Sequence, residues 1–204
     1  MKKYNVWSFV TAVVLLPMGV FAVVKWYQHG YTKLPVFGGE RHTIANFNLV
    51  DQYGARTSLN SWEDKIVVAG FFFTHCPVVC PKMTRSLKKV QLLYSNEKDV
   101  VISSFSVDPE RDSATQLKKF AERMDIKNNW QLITGDKKEI YKLARNSFKV
   151  VATDGDGGPN DFIHSELLVL VDKQKRIRGY YNGTDDEDVN NLLRDIDRLL
   201  KEYR

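Results

Sequence analysis

Residues 66–73, Ile-Val-Val-Ala-Gly-Phe-Phe-Phe, carry no polar side chain. A strand with one wet face alternates apolar and polar residues. An unbroken apolar run has to be covered on both faces, so this segment predicts a central strand of a sheet flanked by two layers. The next residues are Thr74-His75-Cys76-Pro77-Val78-Val79-Cys80-Pro81. They read as a turn followed by a helix opening at Cys76. Pro77 and Pro81 are tolerated there because the first turn of a helix has N–H groups without helical partners anyway.

The rest of the chain repeats that alternation. A short strand over 47–50 turns at 51–54, giving hairpin-like material before the central strand. Residues 100–107 predict a second strand, which Asp108-Pro109-Glu110-Arg111-Asp112 breaks. A helix follows over 113–124 with Ser113 as its cap. A third strand spans 130–133 and a helix 137–147. Residues 153–161, Thr-Asp-Gly-Asp-Gly-Gly-Pro-Asn-Asp, read as a loop. Segments 165–171 and 176–181 form a hairpin, and Asp185 caps a last amphipathic helix whose stripe is Val189, Leu192, Leu193, Ile196, Leu199 and Leu200. The resulting order, β-α-β-α-β-α-β-β-α, predicts an α/β domain with a largely parallel sheet, laid out as a thioredoxin-like fold. Fold alone does not settle function.

Cys76 and Cys80 are the chain's two cysteines. A bridge between them would close a loop too small to constrain much chain, so a structural disulfide is a poor explanation. On a helix, positions i and i+4 share a face. Both sulfurs would then sit near the positive end of a helix dipole, which lowers thiol pKa. Paired thiolates suit a soft metal such as Cu(I), or reversible disulfide chemistry as a redox-active pair. The remaining titratable candidates read more plainly. His75 is a structural neighbour of Cys76, and His29 and His42 belong to a solvated stretch. Asp108 and Asp112 mark a strand-end turn and a helix start, with Arg111 paired to an acid, and Met83 is a packing residue.

The N-terminus places this chemistry. Residues 4–24 form an uncharged run preceded by Lys2 and Lys3 and followed by Lys25. At about 1.5 Å per residue such a helix spans roughly 30 Å, a bilayer core. No small-x-small cleavage site follows it, so an uncleaved transmembrane helix is expected rather than a signal peptide. Trp7, Trp26 and Tyr27 fit interfacial belts. The expected organisation is a membrane anchor over 1–26, a linker over 27–44 holding Gly30, Pro35, Gly38 and Gly39, and a domain over 45–204. Of the net charge of +5, four units come from Lys2, Lys3, Lys25 and Lys33, with no acid among residues 1–33. The domain is therefore nearly neutral, and nucleic acid is not an expected partner. The leading lysines orient the domain outward, on the periplasmic side of a bacterial inner membrane.

Four segments together resemble the Sco/SenC family of membrane-tethered copper-binding proteins of cytochrome c oxidase assembly. They are Phe73-Thr74-His75-Cys76-Pro77 through Cys80-Pro81, Ser106-Val107-Asp108-Pro109-Glu110-Arg111-Asp112, Leu132-Ile133-Thr134-Gly135 with Ile140, and Asp161-Phe162-Ile163-His164-Ser165. The resemblance implies that Cys76, Cys80 and His164 bind copper, as Cu(I) or Cu(II), and that the acceptor is a cytochrome c oxidase subunit or another copper-accepting client. Val78 and Ile163 stand where the family usually carries acidic residues, so acidic groups near the metal are missing. Two functions follow: a copper metallochaperone, or a thiol–disulfide oxidoreductase acting on periplasmic client cysteines. The CxxxC spacing favours metal over exchange, since thioredoxin-type enzymes normally use CxxC. Zn²⁺ would accept the same ligands, and a peroxiredoxin-like peroxidase has no support in the local motif.

Overall fold

The protein's computed structural model describes residues 11–31, 33–39, 41–127, 129–151 and 165–204. The chain divides into two compact units, one ending at Lys33 and one spanning Leu34–Arg204. In the first, a π-helical turn at Thr11–Leu15 runs into helix α1, Leu16–Tyr31, with Leu15, Leu16, Phe21 and Val23 exposed. Among the described residues no helix is long and apolar enough to cross a membrane. The first ten residues of the expected anchor lie outside the described residues.

In the second unit, seven strands form one mixed sheet: β1 Asn48–Asp51, β2 Arg56–Ser58, β3 Ile66–Phe72, β4 Val100–Ser106, β5 Trp130–Thr134, β6 Leu167–Val171 and β7 Ile177–Asn182. Their order is β2-β1-β5-β4-β3-β6-β7. The β3–β4 and β4–β5 pairs are parallel, whereas β6 runs antiparallel to β3 and β7 antiparallel to β6. Every residue of β3 is buried, as the unbroken apolar run requires. Ile66, Val68 and Phe72 enter one core, and Val67, Ala69 and Phe71 the other. The first core includes Cys80, Met83, Leu87 and Val90 of helix α2 (Val79–Leu93), Leu117 and Phe120 of α3 (Ala114–Arg123), and Leu192, Ile196 and Leu199 of α5 (Asp186–Glu202). The second includes Trp62, Phe105, Phe148, and Ile140 and Tyr141 of α4 (Lys137–Lys142).

The caps are those the sequence announces. Ser113 Oγ accepts from Gln116 N at 3.3 Å and Asp185 Oδ1 from Asp188 N at 2.9 Å. Two expectations change. Helix α2 begins at Val79, so Cys76 lies in the turn before it. Part of the stretch read as linker packs on the domain: Leu34 and Ile44 are buried, Phe37 pairs with Ile177, and His42 Nε2–H donates to Ser147 O at 2.7 Å. These few apolar side chains find sites on the core that the surrounding glycines conceal in the sequence.

Parallel strands β3 and β4 end at the same edge of the sheet, where Val107 N donates to Phe72 O at 2.9 Å. The Cys76 turn and the 107–112 segment therefore leave the sheet side by side. Carboxyl ends of parallel strands are the usual place for a site in such folds.

Candidate thiol site

The chain leaves β3 through a turn closed by Cys76 N donating to Phe73 O at 3.3 Å. Pro77 supplies no N–H, and Val78, at the cap of α2, has no side chain able to accept one. The orphan donors at the helix start turn to sulfur instead: Cys80 N donates to Cys76 Sγ at 3.3 Å. The helix geometry expected for the pair is thus replaced by a capping geometry, with the same outcome of two adjacent sulfurs. Both are free thiols, Cys76 half-buried and Cys80 6% exposed.

Their environments pull them apart. Burial raises the Cys76 pKa, but hydrogen bonds from the backbone of Cys80 and Val78, the Cys80 thiol and the backbone of Val79 outweigh it, leaving Cys76 below the ordinary thiol value. Cys80 is pushed up to about 12, first by burial and further by the neighbouring Cys76 and Asp112, against a lowering hydrogen bond from the Phe73 backbone. A half-exposed thiol that ionises more readily than usual therefore faces a buried thiol that holds its proton.

The pair borders an open cleft of about 390 Å³ lined by Phe72, Phe73, Pro77, Val79 and Val107, and by Ser165 and Glu166. Val78 is 59% exposed beside it, an apolar residue at the mouth of a reactive site. His164 lies outside the described residues. No group of three His, Cys, Asp or Glu side chains able to hold a metal occurs among the described residues. His75 does not join the sulfurs as a described ligand group. Its Nδ1 is 3.0 Å from Thr74 Oγ1 and 4.0 Å from Asp112.

Asp108 and Asp112 separate. Asp108 Oδ2 lies 3.6 Å from Arg111 Nη1, the expected pairing of Arg111 with an acid. Asp112 is wholly buried behind the Cys76 turn, where Thr74 and Ser106 donate to it. Its reading as a simple helix start missed this. The signal in the sequence was slight: a carboxylate closing a segment that follows a buried strand.

The donor set suits a soft cation. Two adjacent sulfurs, one with its thiolate form favoured, suit Cu(I) over hard ions.

The SCO1/SenC family model matches residues 38–201. The SCO1 protein homolog of Bacillus subtilis (strain 168) is 34% identical over 158 residues, covering 76% of this chain and 81% of its own. BsSco, described as a member of the Sco family of cytochrome c oxidase assembly proteins in which a disulfide switch was identified, superposes with a TM-score of 0.68 at 30% identity, over 82% of this chain and 98% of its own. Arabidopsis thaliana ScoI, solved with copper bound, gives a TM-score of 0.61 at 25% identity, over 76% and 98%. With a family model spanning most of the domain and the thiol pair in its place, the chain belongs to the SCO1/SenC family.

Proposed function

We propose that the protein is a membrane-anchored copper metallochaperone that takes up copper through Cys76, Cys80 and His164 and delivers it during assembly of the copper site of cytochrome c oxidase. The observation that carries this reading is the sulfur pair itself: two adjacent soft donors on an open cleft, one of them with its pKa below the ordinary thiol value. His164 is the ligand that the family resemblance supplies, and Ser165, its neighbour in sequence, lines the same cleft. Two thiolates and one imidazole leave room for a further ligand from a client, which suits transfer. Copper supplies the transferable charge. Cys76 and Cys80 would hold it, in a cleft that Phe73, Pro77 and Val79 line.

The reduced full chain should bind one Cu(I). Metals compete with protons for thiols, so affinity should rise with pH. While both thiols are protonated, binding displaces two protons. Once Cys76 has ionised, only Cys80 still releases one, because its pKa stands near 12. Affinity should then climb about tenfold per pH unit through the alkaline range, as one displaced proton requires. Competition with a Cu(I) chelator across pH reads the slope. A flat profile, or no binding, refutes the assignment.

The asymmetry of the two thiols also favours the second reading, a thiol–disulfide oxidoreductase. The Cys76 thiolate would attack a client disulfide and release one client thiolate. Cys80 would then give up its proton and displace the second, leaving a Cys76–Cys80 disulfide and a client dithiol. The two roles are compatible: a client must have reduced cysteines before it accepts Cu(I).

The same reading places the anchor in a bacterial inner membrane with the domain in the periplasm, on the strength of the uncharged run after Lys2 and Lys3. Protease added to spheroplasts should digest the domain while cytoplasmic proteins survive. A protected domain reverses the topology.

A further inference from the structure

Asp112 is fully buried, and among the described residues the basic side chain beside it is the His75 imidazole, at 4.0 Å. A carboxylate without a close cation is costly to bury unless hydrogen bonds replace its water. Here three donors converge on two oxygens. Thr74 N donates to Oδ2 at 2.9 Å, Ser106 Oγ to Oδ2 at 2.6 Å, and Thr74 Oγ1 to Oδ1 at 2.5 Å. Asp112 thereby joins the 107–112 segment, the end of β4 and the turn that carries Cys76.

The turn's own hydrogen bonds are local. The Cys76 N–H bond to Phe73 O is long, at 3.3 Å, Pro77 donates nothing, and Val78 makes no side-chain cap. Thr74 ties the turn by hydrogen bonds to the 107–112 segment, two residues before Cys76. Its hydroxyl has one proton, which goes to Asp112. The oxygen can then only accept from His75 Nδ1, at 3.0 Å, so in the neutral ring His75 carries its proton on Nδ1.

We propose that Asp112 is a positioning residue for the thiol pair: acting through Thr74, it fixes the turn so that Cys76 Sγ meets the Cys80 N–H, and it holds His75 as the Nδ1-protonated tautomer. Asparagine cannot substitute, because one carbonyl oxygen and one NH₂ cannot accept three donors in this arrangement. The inference rests on the thiol pair being the working site, and not on which metal or client uses it.

Nitrogen NMR of the reduced full chain in detergent micelles tests it. In the wild type His75 should show the Nδ1-protonated pattern, and an Nε2-protonated ring overturns the proposal directly. In Asp112→Asn and Thr74→Val, exchange of the Cys80 amide should quicken roughly tenfold, the scale of one hydrogen bond, while β3 amides keep their protection. The same variants should move His75 to the Nε2-protonated form. Thr74→Ser, which keeps the hydroxyl, should restore both readouts. Wild-type behaviour in Thr74→Val, or equal damage from Thr74→Ser, overturns the proposal, and this pair decides if Asp112→Asn does not fold. Copper loading of the same wild-type sample is read separately. Its failure would count against the metallochaperone and leave the NMR result on Asp112 standing.

Discussion

Cys76→Ser and Cys80→Ser should each abolish Cu(I) binding by the full chain, with affinity falling at least about a hundredfold as a whole ligand is lost. A serine hydroxyl is a hard donor that stays protonated, so neither variant keeps two soft anions around the metal. The two should differ in stability. Cys76 is half-buried in a turn, and serine there retains an oxygen that can accept the Cys80 N–H. Cys80 is buried against Met83, Leu87 and Phe120 in the first core, and a hydroxyl placed there needs a partner. Its loss should cost about 1–3 kcal/mol. Cys80→Ala separates the two effects, since it removes the ligand without adding a polar group. His164→Ala should also weaken binding, and more for Cu(II) than for Cu(I), because two thiolates alone still satisfy the softer ion. Chelator competition and denaturant unfolding on the same samples give both quantities. A Cys76→Ser protein that still holds one tightly bound Cu(I) would sink the metal assignment.

The elements legible in the sequence were those set by one dominant force. Residues 66–73 admit no wet face, and β3 is buried throughout. Asp185, followed by an apolar stripe at helical spacing, fixes both the start and the buried face of α5. Caps and periodicity are local, so one sequence suffices to read them. The start of α2 was misread because two local rules compete. A residue before proline is pushed away from helical angles, which excludes Cys76 ahead of Pro77. The same rule gives way at Cys80, where Pro81 sits in the first turn of a helix already begun. The thiol pair itself was legible from spacing and placement, but its inequality was not. The elevated pKa of Cys80 comes from packing against residues far along the chain. Asp112 was hidden for the same reason: nothing in Asp-Pro-Glu-Arg-Asp says which carboxylate is fully buried. Leu34 and Ile44 were lost among glycines and prolines that usually mark a free linker.

Arg178→Met should destabilise the domain by about 3 kcal/mol or more, because it leaves buried charges without their partner. The Arg178 side chain is 2% exposed and that of Asp172 is fully buried. From β7, the guanidinium donates to Asp172 Oδ2 at 2.9 Å, Glu202 Oε2 at 3.0 Å, Leu34 O at 2.8 Å and Pro35 O at 3.2 Å. One side chain thus ties the β6–β7 turn, the end of α5 and the first residues of the domain. Lysine should not rescue it, since a single ammonium cannot match the planar fork that reaches four acceptors. Asp172 keeps Arg176, whose Nε donates to Oδ2 at 3.0 Å, so the loss stays below that of a wholly unpaired charge. For a domain of this size the melting temperature should fall by roughly 6–12 °C. Neutralising Asp172 as well, in Arg178→Met with Asp172→Asn, should recover part of the loss. Copper affinity should hold in the folded variant. Val171, beside Asp172, pairs with Val67 at the start of β3, whereas Cys76 follows the end of that strand. A change in copper affinity without a change in stability would mean that the two ends of the sheet communicate, which the rigid, fully buried β3 between them gives no reason to expect.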